Sequence, residues 1–170
     1  DGSFLASCQE KMKKWNDLQS KEKTSVEEPV HPQAVAHAVG ELAADDAVVC
    51  CDTGAVTVWG TRHFRIKGQQ RFTLSGDLAS MAFALPAAIG ASLIYPEKQV
   101  IALCGDGGFA MLMCDFATAV KYKLPVKVVI FNNGKLGLIQ MEQEARSGNP
   151  EYETGLHNPD YDAFARSCGA

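Results

Sequence analysis

The sequence lacks any grouping of positive charge. Its 16 lysine and arginine residues are outnumbered by 20 aspartate and glutamate residues, and the basic residues are scattered along the chain. Proteins that bind nucleic acid gather basic side chains on one face, where these neutralise phosphates. We therefore expect no nucleic-acid partner.

Long apolar runs are also missing. Stretches such as residues 126–131 are far shorter than the roughly 20 residues that a helix needs to cross a bilayer. The first residues do not show the basic and then apolar layout of a signal peptide. These absences predict no transmembrane segment and, by default, a cytoplasmic protein.

The cysteines show no pattern that is typical of a metal site or a redox motif. None of the six belongs to a CxxC pair, and none has histidine at metal-ligand spacing. Several lie within apolar runs, where cysteine acts as a small hydrophobic residue. We favour reduced, structural thiols over a catalytic thiol for all of them: Cys8, Cys50, Cys51, Cys104, Cys114 and Cys168.

The composition is typical of one globular domain with a tail, because 46% of the 170 residues are hydrophobic. Residues 1–29 are polar, and we interpret them as a linker with an amphipathic helix. Residues 30–170 form the predicted domain. The linker helix is indicated by apolar residues at three- and four-residue steps, namely Phe4, Leu5, Cys8, Met12, Trp15 and Leu18.

Uninterrupted apolar segments alternate with helical patterns throughout the domain. Residues 47–51, 100–104 and 126–131 are predicted strands, and residues 71–74 are extended. Strands that are apolar on both sides are typical of a parallel sheet covered by helices on both faces. The predicted fold is therefore an α/β, doubly wound parallel sheet, with helices over residues 31–42, 55–64, 81–93, 109–121 and 161–168.

Small and oxygen-bearing residues follow the three predicted strands. They are Asp52-Thr53-Gly54, the run from residue 105 to 108, and Asn132-Asn133-Gly134. Ligands bind at the carboxyl ends of such strands, where glycines let the backbone approach a phosphate and a helix start attracts it. Asp106 and Asn133 offer hard oxygen atoms that suit Mg²⁺. The alternative is that both segments are only turns.

The spacing of these segments resembles a known signature. Gly105-Asp106-Gly107 is followed after twenty-four residues by Asn132-Asn133, and this pattern resembles the thiamine diphosphate signature. The longer text over residues 30–170 is similar to pyruvate oxidases and quinone-dependent pyruvate dehydrogenases. The resemblance implies the thiamine diphosphate-binding fold with thiamine diphosphate and Mg²⁺ as cofactors.

The resemblance also implies roles for individual residues. Mg²⁺ would be bound by the side chains of Asp106 and Asn133 and by the carbonyl of Lys135. Met81 would support the bent cofactor; its alternative is an ordinary core methionine. Further cofactor contacts would come from Gly54, Ala55, Ala79, Ser80, Gly105, Gly107, Gly108, Leu136 and Gly137. Four residues would face the reacting carbon: Leu138, Ile139, Glu142 and Gln143.

The same resemblance implies parts that these 170 residues do not supply. A pyrimidine-binding domain of a second subunit would provide the glutamate that activates the cofactor, in a homodimer or homotetramer. FAD would be held mainly by another region, and the substrate would be a 2-keto acid such as pyruvate. We expect this chain to be a carboxyl-terminal portion that ends before the family's last helix and strand and is inactive alone.

Two other interpretations stay open. One is an acetolactate synthase or another 2-keto acid decarboxylase, although acetolactate synthases usually have Gln-Trp where Met141-Glu142 stand here. Leu138 stands where oxidases often have a larger aromatic residue, and this difference leaves the identity of the electron acceptor open. The other interpretation is a noncatalytic module that binds a nucleotide or phosphate.

Overall fold

A parallel sheet forms the centre of the protein. The structure is a computed structural model, and it describes residues 2–170. Within these residues, four parallel strands are arranged in the order β2-β1-β3-β4. The predicted parallel α/β fold is thus confirmed, with strands β1 (Val48–Cys51), β2 (Arg71–Leu74), β3 (Val100–Gly105) and β4 (Val126–Phe131).

The two central strands are buried on both sides because they have no polar face. Alternate residues of a strand point to opposite faces of a sheet. In β1, Val48 and Cys50 belong to one hydrophobic cluster, whereas Val49 and Cys51 belong to another on the opposite face. Each face therefore has its own apolar core.

Helices cover both cores, as a doubly wound sheet requires. Val39 and Val56, from the helices α2 and α3, pack on one face, and Ala88, Phe116 and Phe164, from α4, α6 and α8, pack on the other. The helices of this domain are α2 (Pro32–Leu42), α3 (Ala55–His63), α4 (Ala84–Ile94), α5 (Asp106–Leu112), α6 (Asp115–Lys121), α7 (Gly137–Met141) and α8 (Tyr161–Ser167).

Two helix boundaries differ from the prediction. The helix predicted from residue 81 begins only at Ala84, because Ala79 and Ala82 have positive φ angles of 50° and 60°, which a right-handed helix excludes. The helix predicted over residues 109–121 begins at Asp106 and is divided into α5 and α6 by a turn. Both differences lie next to the strand ends.

The amino-terminal segment forms the predicted helix but does not bury its apolar side. Helix α1 (Gly2–Gln19) has no buried residue, and a short 3-10 helix, Glu22–Thr24, follows it. Arg62 lies over the Trp15 ring at 5.3 Å from its centroid, which links α1 to α3. Among residues 2–170, no helix is long and apolar enough to span a membrane. The division into a linker and a domain stays a prediction.

All six cysteines are free thiols, and three of them lie in the sheet. Cys50, Cys51 and Cys104 are fully buried. Burial raises the pKa of Cys50 to about 11 and that of Cys51 to about 12, the latter with a smaller contribution from the neighbouring Asp52. Burial also raises the pKa of Cys104 well above its ordinary value. These thiols stay protonated and act as packing groups.

We expect alkaline pH to destabilise the fold through these thiols. An unfolded chain loses each thiol proton near pH 9.0, whereas folded Cys51 keeps it until about pH 12. The stabilisation is therefore complete below pH 9 and is lost as the pH rises, at about 1.4 kcal/mol per pH unit for each buried thiol. Denaturant titrations at several pH values should show a shallower loss in Cys51→Ala. The exposed Cys114, changed to serine, is the control and should leave the slope unchanged.

Candidate cofactor site

The carboxyl ends of β1, β3 and β4 open into one cavity of about 720 Å³. This position agrees with the rule for open parallel sheets. Most of the residues that the sequence assigned to a site line this cavity, whereas Ser80, Glu142 and Gln143 do not. Those that line it are Gly54, Ala55, Ala79, Met81, Gly105, Asp106, Gly107, Gly108, Asn133, Lys135, Leu136, Gly137, Leu138 and Ile139.

Asp106 is the first residue of α5, directly after β3, and its side chain is held in a fixed orientation. The residue is only 3% exposed. Its Oδ1 accepts a hydrogen bond from the backbone N–H of Gly107 at 2.9 Å. Its Oδ2 accepts one from the N–H of Gly134 and one from Nδ2 of Asn158, both at 2.7 Å. A carboxylate oxygen has two lone pairs, so Oδ1 keeps one lone pair for a ligand.

Asn133 and Lys135 stand in the loop after β4, beside Asp106. The Oδ1 of Asn133 accepts a hydrogen bond from the N–H of Lys135 at 3.2 Å, which tightens this turn. The ammonium of Lys135 pairs with Glu151 at 2.8 Å. This hydrogen bond is the largest of the causes that lower the pKa of Glu151. The side chain of Lys135 is therefore engaged away from Asp106, and its backbone carbonyl is the group assigned to the metal.

A segment that we name the strap, residues 151–158, closes over this loop. The N–H of Leu136 donates to the carbonyl of Thr154 at 2.8 Å, and the N–H of Leu156 donates to the carbonyl of Gly134 at 2.7 Å. The hydroxyl of the buried Thr154 also donates to Glu151. The strap thus holds the loop from residue 134 to 136 by backbone bonds that need no particular side chain.

The absence of side chains at three glycines leaves room for a phosphate group. A Cβ on Gly107 would lie 3.1 Å from the end of Leu156 and 3.6 Å from the Cε of Met81. Gly54, with φ 133° and ψ −157°, adopts a backbone conformation that side chains disfavour. Open space surrounds Gly54, and Gly105 has only Val56 near it, at 3.8 Å. The cavity therefore fits a group that approaches the backbone closely.

Met81, to which the sequence assigned a supporting role, lines the cavity. It stands between the two alanines with positive φ, it is 37% exposed, and its thioether end reaches Gly107. Ser80, its neighbour, donates its backbone N–H to the hydroxyl of Ser75 at 3.1 Å instead of lining the cavity. The turn from residue 75 to 83 therefore presents Met81 to the cavity.

Of the four residues assigned to the reacting carbon, two line the cavity and two do not. Leu138 and Ile139 lie in α7 and line the cavity. Glu142 and Gln143 belong to the π-helical turn Glu142–Arg146 that follows it. Gln143 is engaged elsewhere, because its amide donates to the carbonyl of Tyr152 and accepts from the N–H of the same residue. Gln143 therefore holds the beginning of the strap.

Sequence reasoning missed three residues that support the site. Asp52 is 1% exposed, its Oδ1 accepts from the N–H of Ala84 at 2.9 Å, and its Oδ2 is buried without a hydrogen-bond partner. Burial raises its pKa. Asn158 and Tyr161 contact Asp106. The position of Asp52 directly after a buried strand, like that of Asp106, could have indicated a role in the site. Asn158 could not be recognised in this way, because it lies in a polar stretch without periodicity.

The donor set fits Mg²⁺ together with a diphosphate, but it does not form a metal site alone. In the part of the chain that the structure describes, no group of three or more His, Cys, Asp or Glu residues is placed to hold a metal ion. One carboxylate with neutral oxygens is typical of Mg²⁺ that also binds phosphate oxygens. The cradle of glycines beside Asp106 is where such phosphates would lie.

Comparisons with known proteins agree with this geometry. Residues 52–170 match the family "Thiamine pyrophosphate enzyme, C-terminal TPP binding domain", in which pyrophosphate is a synonym of diphosphate. The chain belongs to this family of thiamine diphosphate enzymes. Helices on both faces of a parallel sheet and a cavity at the strand ends are thus the features of a cofactor-binding domain.

Three relatives show how far the similarity extends. The chain is 52% identical to the Bacillus subtilis protein named "Putative thiamine pyrophosphate-containing protein YdaP" over 170 residues, which are 100% of the chain and 29% of that protein. It is 35% identical to pyruvate oxidase of Lactiplantibacillus plantarum over 91% of the chain and 26% of that enzyme. It is also 35% identical to the acetolactate synthase large subunit of Parasynechococcus marenigrum, over 94% of the chain and 26% of that subunit. The chain thus spans less than a third of each relative.

Proposed function

We propose that this chain is the cofactor-binding portion of a thiamine diphosphate-dependent enzyme that decarboxylates a 2-keto acid, of the pyruvate oxidase or quinone-dependent pyruvate dehydrogenase type. Pyruvate is the proposed substrate. The observation that carries the proposal is the meeting of Asp106, Asn133 and Lys135 at one cavity, with Met81 reaching Gly107 in the same cavity.

The proposed roles follow from the chemistry of each group. Asp106, Asn133 and the carbonyl of Lys135 would bind Mg²⁺, and the N–H groups at the start of α5 would attract the diphosphate. When bound, thiamine diphosphate supplies a carbon centre that adds to the 2-keto group and accepts the electron pair that stays behind when CO₂ leaves. This chain's task is therefore to hold and orient the cofactor.

The apolar residues of the cavity would keep water from the reacting centre. Met81, Leu138 and Ile139 present only hydrocarbon and sulfur surface to the cavity, and exclusion of water strengthens electrostatic interactions inside a site. Glu142 is the one ionisable side chain among the four residues assigned to the reacting carbon. We propose that it faces the substrate once the remaining parts of the site are present.

Further parts of the site are proposed to come from outside this chain. A pyrimidine-binding domain of a second subunit would provide the activating glutamate, in a homodimer or homotetramer, and another region would hold most of FAD. The similarity to pyruvate oxidase, of which the chain spans 26%, supports this arrangement. A cytoplasmic location stays a prediction from the sequence.

An acetolactate synthase type of reaction is the second candidate. The sequence identity to the acetolactate synthase large subunit is 35%, which equals the identity to pyruvate oxidase. The two candidates differ in what becomes of the two-carbon unit, which is joined to a second 2-keto acid in one and oxidised in the other. Analysis of the products formed from pyruvate by the complete gene product separates them: acetolactate favours the second candidate, and acetate with a reduced acceptor favours the first.

Calorimetry tests whether the cavity is a thiamine diphosphate site. The complete gene product is titrated with thiamine diphosphate plus Mg²⁺ and, separately, with ADP plus Mg²⁺. We expect saturable binding of thiamine diphosphate that disappears when Mg²⁺ is chelated, and at least about tenfold weaker binding of ADP, which corresponds to about 1.4 kcal/mol. Preference for ADP would instead support a nucleotide-binding module and would overturn the proposal.

A further inference from the structure

Asn158 joins the ends of two neighbouring strands through one amide group. Its Nδ2 donates to Oδ2 of Asp106, after β3, at 2.7 Å and to Oδ1 of Asn132, after β4, at 2.9 Å. An amide nitrogen has two hydrogen atoms, so both donors are used. The strap thereby places the side chain of Asn158 beside Asp106, one of the proposed Mg²⁺ ligands.

Tyr161 fixes the orientation of this amide. Its hydroxyl lies 3.0 Å from Oδ1 of Asn158 and 2.9 Å from the backbone carbonyl of Asp106, so that its single hydrogen is shared between these two acceptors. A flipped amide would place its oxygen against the carboxylate of Asp106 and its nitrogen against the hydroxyl. The ring of Tyr161 packs edge-on against Phe109 at 5.3 Å between centroids. The orientation of Asn158 is therefore set by a side chain anchored in the core.

The consequence for Asp106 is that its two oxygens are no longer equivalent. Oδ2 accepts from both Gly134 and Asn158, which uses its two lone pairs, whereas Oδ1 accepts only from Gly107. A carboxylate in this state offers one oxygen to a cation and not two. Mg²⁺ requires near-octahedral geometry with single oxygens, whereas Ca²⁺ takes six to eight ligands and often binds both oxygens of a carboxylate.

We propose that Asn158 is a positioning residue that makes Asp106 a one-oxygen ligand and thereby sets the preference of the site for Mg²⁺ over Ca²⁺. The inference rests on the proposed function, because it concerns the same metal and diphosphate site. Removing the amide frees a lone pair on Oδ2, so that both carboxylate oxygens become available to a larger cation. The discrimination between the two cations should then decrease.

The test measures cation selectivity by binding, not by turnover. In the complete gene product, Mg²⁺ or Ca²⁺ is titrated at constant thiamine diphosphate, and the fluorescence of Trp59, which lines the cavity, reports binding. Asn158→Leu keeps a similar volume without hydrogen-bonding atoms, and Tyr161→Phe removes only the hydroxyl that orients the amide. His157→Ala, an exposed neighbour in the strap, is the matched control.

We expect Asn158→Leu to raise the half-saturating Mg²⁺ concentration by about 10- to 100-fold, as is typical when a group behind a metal ligand is removed. The half-saturating Ca²⁺ concentration should change less, so that the ratio of the Ca²⁺ value to the Mg²⁺ value falls by about tenfold. Tyr161→Phe should shift the ratio in the same direction by a smaller factor, and it decides the matter if Asn158→Leu does not fold. His157→Ala should match the parent protein.

An unchanged ratio in the folded variants would overturn the inference, whether the affinities stay the same or fall equally for both cations. A failure of the proposed function looks different. In that case the parent protein and His157→Ala would not bind thiamine diphosphate with either cation.

Discussion

Replacing Asp106 with asparagine is expected to abolish Mg²⁺-dependent binding of thiamine diphosphate while the fold persists. An asparagine oxygen at the Oδ2 position still accepts from Gly134 and Asn158. Its NH₂ group then occupies the Oδ1 position, where a donor faces the cation in place of a lone pair. One negative charge is lost as well. We expect at least about a 100-fold loss of affinity, measured by calorimetry with Mg²⁺ present, because even the removal of a group behind a metal ligand costs up to about 100-fold.

The stability of this variant separates a ligand from a turn residue. One of three hydrogen bonds to the carboxylate is lost, that from the N–H of Gly107, and a bond to a charged group contributes about 1.5–3 kcal/mol. Denaturant unfolding should therefore show a moderate loss. Asp115→Asn makes the same change in charge at the start of α6, outside the cavity lining, and should leave cofactor affinity unchanged. Unchanged affinity in Asp106→Asn would show that Asp106 only shapes the turn.

The sheet could be predicted because the sequence pattern of its central strands fits a covered parallel sheet better than any other structure. Residues 100–104 and 48–51 are short and apolar on every side, and such segments are stable only between two layers of helices. Because these strands are parallel, their carboxyl ends meet, which also placed Asp106 and Asn133 together. The fold and the central part of the site are thus consequences of local pattern plus one topological rule.

The turn before α4 could not be predicted, because its conformation depends on contacts distant in sequence. Residues 81–83 are good helix formers by composition, yet Ala79 and Ala82 adopt positive φ. Asp52, at the end of β1, accepts from the N–H of Ala84 and so fixes where α4 begins. Tertiary contacts overrode helix propensity here.

The strap was missed for a different reason. Its contacts to the loop of residues 134–136 are mostly backbone hydrogen bonds, which any residue can make, so the strap leaves no pattern in the sequence. Asn158 contacts Asp106 across more than fifty residues, and an asparagine in a polar stretch looks the same whether it is solvated or buried. A contact of this kind is visible only in the folded structure.

We expect Gly108→Ala to destabilise the protein strongly, although alanine favours helices. A Cβ at this position in α5 would lie 2.3 Å from Oδ2 and 3.1 Å from Cγ of Asp52. Alanine gains about 1 kcal/mol over glycine in a helix interior, whereas overpacking costs about 1–3 kcal/mol and occasionally more. The clash is with a buried carboxylate that is held by the N–H of Ala84, so the cost should lie at the upper end. We expect a net loss of about 2 kcal/mol by denaturant unfolding.

The adjacent glycine provides the contrast that makes this prediction specific. A Cβ on Gly107 would meet only the ends of leucine and methionine side chains, the nearest at 3.1 Å, and these can move by small rotations. Gly107→Ala should therefore be close to neutral for stability while it narrows the cavity. If Asp52 is the cause at residue 108, adding Asp52→Ala to Gly108→Ala should cost less than Asp52→Ala costs alone, because neighbouring substitutions couple. Additive effects would show that the strain at residue 108 does not come from Asp52.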